Sequence, residues 1–193
     1  MLPHDILPTP ATGLCPAPVP QRFAALFCLA LLTGSCALAS LALACATPFA
    51  AFAVVAAAML PLRPALLVVT GTWLVNQAIG FSALHYPIDG NTMLWGIAIG
   101  LAALVATLVA VAALRILPAH KVRLGLALAL LCAYAAYEVT LLAAAPFLGG
   151  ANSFGAAIVV RLGLLNAAWL IGLVAVCEII RLFKPVRRGH AVS

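Results

Sequence analysis

Apolar runs of about twenty residues alternate along the chain with short breaks at Pro, Gly, Asn and basic residues. They mark six segments, near 23–44, 46–62, 64–85, 93–117, 123–145 and 156–182. Each is close to the roughly 17–25 residues a helix needs to cross a bilayer. A chain in lipid has to satisfy its backbone polar groups within each segment. The pattern therefore predicts an all-α integral membrane protein, a polytopic bundle of about six transmembrane helices. Only Cys45, Ala46, Thr47 and Pro48 separate the first two segments, and no charge marks the turn. For 46–62 a re-entrant segment is the alternative to a full crossing.

Within the third segment the apolar text is interrupted at helical intervals. Thr70, Trp73, Asn76, Gln77, Gly80 and Leu84 recur at spacings of three and four, which gathers them on one stripe of a helix. An unsatisfied amide at mid-span costs several kcal/mol, so Asn76 and Gln77 need a partner helix, a water or a ligand. Two readings follow: the amides tie helices together, or the stripe lines a solute pocket with Trp73 as its stacking wall.

The fifth and sixth segments carry Glu138 and Arg161. Counted from the segment ends at Ala145 and Ala156, the two lie within about 3 Å of the same depth. Adjacent antiparallel helices would let them pair, offsetting the cost of either charge alone in hydrocarbon. Such a pair serves either as a structural clamp or as part of a site; Arg161 alone would instead snorkel to the interface. Tyr134 shares the face of Glu138, and Tyr137 is expected to point elsewhere. Asn166 is about 140° around the helix from Arg161, so with Trp169 it is expected to face the third-segment stripe across the bundle.

Composition agrees with the pattern: 66% of residues are hydrophobic, 7% are charged and the mean hydropathy is +1.23, far from the balance of soluble domains. The net charge of +6 is distributed by loop. Arg22, Arg63, Arg115, Lys121, Arg123, Arg181, Lys184, Arg187 and Arg188 fall in alternate connections, while those around Thr47, His85–Asn91 and Pro146–Ser153 carry no Lys or Arg. Basic residues are retained inside, so both termini are expected in the cytoplasm of a bacterial cell, with the spans in its inner membrane. The domain organisation is then a Pro-rich, disordered tail over 1–21, a transmembrane domain over 22–184 and a basic tail over 185–193. That tail suits anionic lipid headgroups, and nothing in the chain resembles a nucleic-acid surface.

Six cysteines show no C-x-x-C spacing and no neighbouring His, which indicates packing rather than metal binding; a Cys36–Cys45 disulfide is the minor alternative. The run His85, Tyr86, Pro87, Ile88, Asp89, Gly90, Asn91 reads as a turn. Gly96 and Gly100 form a G-x-x-x-G that permits close helix contact, after an interfacial Trp95.

No span holds a central His for bis-histidine haem or a Lys for a retinal Schiff base. H-E-x-x-H, paired carboxylates and a P-loop are missing as well. The chain therefore reads as a non-enzyme without a cofactor. Two functions remain. One is small-solute transport, as a substrate-binding membrane component or permease whose site draws on Trp73, Asn76, Gln77, Glu138, Arg161 and Asn166, with Arg161 suited to an anionic group. The other is a non-catalytic accessory subunit of a larger membrane complex. In length and span count the chain resembles the six-helix substrate-binding components of energy-coupling-factor vitamin transporters, a resemblance of architecture that implies an energising protein partner. No repeat relates the first three spans to the last three.

Overall fold

A computed structural model describes residues 21–43, 46–116, 121–150 and 154–183. After a 3-10 turn at Gln21–Phe23 come α1 (Ala24–Leu43), α2 (Phe49–Met59), α3 (Leu62–Ser82), α4 (Gly90–Ile116), α5 (Val122–Leu148) and α6 (Ala156–Leu182). The described residues contain no strand. Five of the six helices are long and apolar enough to cross a membrane. The expected tails, 1–21 up to Gln21 and 185–193, lie outside the described residues.

The expected second crossing over 46–62 is replaced by a short helix. At 11 residues α2 is about 16 Å long, about half the thickness of a hydrocarbon core. Proline brackets it: Pro48 occupies its N-cap and Pro61 follows its C-cap, Leu60. What α2 loses in length it gains in position. Every residue from Phe49 to Ala58 is buried, and α1, α3, α4, α5 and α6 all pack against it. Around this axis the other helices adjoin in the order α1, α3, α4, α5, α6.

Small side chains make the central position accessible. α2 has the sequence FAAFAVVAAAM, and α4 buries Ala102, Ala103, Ala106 and Ala110 completely. Lipid tails are as apolar as leucine, so helices associate there through close packing and hydrogen bonds, and alanine lets two backbones approach. Larger side chains such as Leu67, Leu131, Leu164 and Ile171 are exposed on the outer faces, as lipid contact requires.

Three of the departures from the expected helix boundaries have local reasons. α3 begins at Leu62 and not at Pro64, because a proline in the first turn removes only an N–H that has no intrahelical acceptor. α5 runs through Pro146 to Leu148, and Gly149 closes it by donating to the Ala145 carbonyl at 2.8 Å. α4 begins at Gly90, three residues early, because Asp89 caps it. The Thr92 N–H donates to Asp89 Oδ1 at 2.8 Å and the Thr92 hydroxyl to Oδ2 at 3.1 Å. The His85–Asn91 run is thus a capping turn.

Those hydrogen bonds, first the one from the Thr92 backbone, hold the Asp89 carboxyl below its ordinary value. A folded-state value below the unfolded one means that the cap stabilises at neutral pH and that this contribution is lost as pH falls through the depressed value. Hydrogen-exchange protection of the Thr92 and Met93 amides should therefore weaken in acid. In Asp89→Ala the same loss should already be present at pH 7 and remain confined to the first turn of α4.

Candidate functional site

The basic residues Arg22, Arg63, Arg115, Lys121, Arg123 and Arg181 stand at the starts of α1, α3 and α5 or the ends of α4 and α6, hence at one end of the bundle. α2 fills the axis on that side. Toward the charge-poor end its first turn is the floor of an unfilled space, which forms two chambers. One, of about 290 Å³, is lined by Thr47, Phe49, Asn76, Gln77, Tyr86, Pro87, Thr92, Trp95, Gly96, Ile99 and Tyr137. The other, of about 330 Å³, adds Tyr134, Glu138, Leu141, Phe154, Ile158, Leu162 and Asn166. Thr47, Trp95, Ile99 and Tyr137 border both.

Hydrogen bonds hold the floor in place. The first N–H groups of a helix have no acceptor of their own, and the buried Ala51 N–H donates to Asn166 Oδ1 at 3.0 Å. Asn166 in turn donates from Nδ2 to the Leu162 carbonyl at 2.9 Å, so both ends of its amide are engaged. Across the axis, Asn76 Nδ2 donates to Ser40 Oγ and to Thr47 Oγ1, each at 3.0 Å, joining α3 to α1 and to the segment that enters α2. Gln77 Nε2 donates to Asn76 Oδ1 at 3.4 Å. Asn76 and Asn166 are therefore interhelical ties that border the chambers. Gln77 keeps its Oε1 without a protein partner among the described residues.

The α3 stripe divides in two. Asn76 turns toward α1, whereas Trp73, Gln77 and Gly80 face α4 and the following loop. Trp73 donates from its indole Nε1 to the Gly96 carbonyl at 2.9 Å. A Cβ at Gly96 would lie 2.6 Å from Gln77 Oε1, and one at Gly100 would lie 2.6 Å from Trp73 Cε2. The G-x-x-x-G of α4 thus receives two polar side chains of α3. It also takes Trp73 out of the role expected for it, since Trp73 borders a separate flank groove with Thr70 and Leu101 and neither chamber. Trp95 supplies the aromatic wall instead.

Glu138 and Arg161 do not pair. Among the described residues the ion pair is Arg181 with Glu178 at 2.9 Å, near the end of α6. Glu138 is half-buried in the second chamber beside Tyr134, while Arg161 is exposed and lines neither chamber. Matching depth is not enough for contact, because the two helices meet on another face. Tyr134 donates its hydroxyl to the Val159 carbonyl at 2.6 Å and packs on Gly163, which turns Arg161 away from α5. Tyr137, expected to point elsewhere, borders both chambers and stacks on Phe49 at a centroid distance of 6.4 Å. The chambers are broad enough to take in residues 100° apart on α5.

Asn166 and Trp169 do not reach the α3 stripe either. α6 packs on α2 and α5, with α2 standing between it and α3. The buried indole N–H of Trp169 has no hydrogen-bond partner among the described residues. Cys28, Cys36 and Cys177 are buried, Cys36 donating to the Thr72 carbonyl at 3.6 Å, and Cys45 lies outside the described residues. No group of three or more His, Cys, Asp or Glu among the described residues could hold a metal ion.

Sequence reasoning missed Thr47, Phe49, Tyr86, Trp95 and Tyr137 as lining residues. One signal was available: Tyr86, Trp95, Tyr134 and Tyr137 all lie toward the charge-poor end, where the uncommitted polar groups also lie. Together these features define an all-helical protein of the multi-pass membrane class, with a paired cavity above a short axial helix. Comparison with protein-family models, curated proteins and solved structures returns no match.

Proposed function

We propose that the protein is the solute-binding component of a membrane transport system and holds a small molecule in the paired chambers above α2. The observation that carries this reading is the truncation of the axial helix. A bundle built only for stability would fill its axis with a full-length helix. Here the vacated length is lined by the hydroxyl of Tyr137, the indole of Trp95 and the Oε1 of Gln77, none of which has a protein hydrogen-bond acceptor or donor among the described residues. Mostly apolar walls with a few convergent polar groups are what small-molecule sites present.

In this reading the basic end and both termini face the cytoplasm of a bacterial inner membrane, so the chambers open to the opposite side and take solute from there. Among the described residues the chambers pair no Ser or Cys with a histidine base, which favours binding over chemistry. With no P-loop in the chain and no inverted repeat, the energy for release comes from a protein partner.

Native mass spectrometry of the protein extracted gently from its own membrane tests the proposal. A small-molecule adduct is expected, weakened about tenfold in Gln77→Ala, the loss of one hydrogen bond to ligand, and undiminished in Arg161→Ala. Stoichiometric protein partners without an adduct would replace the proposal with the accessory-subunit reading.

A further inference from the structure

We infer that the second chamber selects a small organic cation, a protonated amine or a quaternary ammonium, with Glu138 as its counter-charge; this rests on the solute-binding reading above. Among the described residues Glu138 is the one charged side chain bordering either chamber. No Lys, Arg or His among the described residues borders either chamber. The chain has no Lys or Arg between Arg123 and Arg161, and the connections at this end of the bundle have none at all. Arg161 is exposed outside the chambers and forms no ion pair among the described residues.

A carboxylate in a mostly apolar cavity within the membrane is costly, and a cation held against it offsets that cost. The chamber walls match a cation in a second respect. Trp95, Tyr134, Tyr137 and Phe154 line the same chamber as Glu138, and the negative faces of aromatic rings attract alkylammonium groups. Ca²⁺ is the poorer match, since it takes six to eight oxygen ligands and among the described residues a single carboxylate borders the chamber. The volume of about 330 Å³ lies at the small end of ligand sites, which fits a compact amine.

The test compares choline with 3,3-dimethyl-1-butanol, its uncharged carbon isostere, by calorimetric titration of the full chain in detergent. Choline should bind saturably, at least about 20-fold more tightly than the isostere, the effect of one half-buried charge pair. Glu138→Gln should erase that preference, and Glu178→Gln, at the basic end, should leave it intact. Equal binding of the two probes to the wild-type chain, or no saturable choline binding, overturns the cation assignment without recourse to any variant. An unchanged preference in Glu138→Gln overturns it too. If acetate or 3,3-dimethyl-1-butanol binds better than choline and that binding is lost in Tyr137→Ala, the chambers hold a solute of another class. The solute-binding reading then stands while the cation assignment fails.

Discussion

Gly100→Ala should destabilise the bundle by about 1–3 kcal/mol, net of the roughly 1 kcal/mol by which alanine is favoured over glycine inside a helix, read as an earlier transition in SDS titration from mixed micelles. The added methyl would lie 2.6 Å from Trp73 Cε2 and 2.9 Å from its Nε1. An indole is rigid and cannot give by rotating its far end, so the ring has to leave its rotamer or α3 has to move. Overpacking of this kind costs about 1–3 kcal/mol. Displacing the ring also breaks the 2.9 Å hydrogen bond from Nε1 to the Gly96 carbonyl, which adds about 1 kcal/mol. Gly172→Ala is the control. A Cβ there meets nothing within 4 Å, and alanine is favoured over glycine inside a helix by about 1 kcal/mol. The two variants should shift stability in opposite directions. Equal shifts would mean that glycine acts in these helices through backbone flexibility and not through the space it leaves for Trp73.

Asn166→Leu should cost about 1–3 kcal/mol and should loosen the chamber floor as well as the fold. Leucine keeps the branching of the side chain but offers no acceptor to the buried Ala51 N–H, and a buried donor without a partner loses its full desolvation energy. Hydrogen exchange resolves the mechanism: protection should fall at Ala51 and in the first turn of α2, while the last turn, near Met59, keeps its own. Uniform loss along α2 would instead indicate that Asn166 acts by packing. Because the Asn166 amide is spent on α2 and on Leu162, its removal should affect a solute through the shape of the floor and not through a lost ligand contact.

Much of the fold was readable before any coordinates. The expected α1 over 23–44, α4 over 93–117 and α6 over 156–182 agree with the observed helices to within three residues. Long apolar runs in a bilayer have one way to satisfy their backbones, so hydropathy alone locates them. Segment 46–62 misled because hydropathy does not separate a helix surrounded by lipid from one surrounded by helices. Its two prolines and its run of alanines were the available clues to a short central element.

The site was less readable, for reasons that differ by residue. Asn76, Gln77, Glu138 and Asn166 border the chambers, and intramembrane polarity alone marked them. Trp73 and Arg161 were chosen on the same ground and lie elsewhere, because a helical face was known but not its neighbour. Which face of α6 turns toward α5 decides whether Glu138 meets Arg161 or an open chamber, and here Val159 and Gly163 take that face.

By itself the sequence determined the helical class, the limits of the long helices, the placement of basic residues at one end and the scarcity of cations at the other. Local hydrogen bonding and the hydrophobicity of each segment suffice for these. Only the tertiary structure decided that α2 lies on the axis, that its short length leaves two chambers, and that Glu138 faces one of them without Arg161. Those features depend on which faces of different helices pack together, and packing between nearly uniform apolar surfaces is settled by a few small residues and polar ties, here Gly96, Gly100, Asn76 and Asn166.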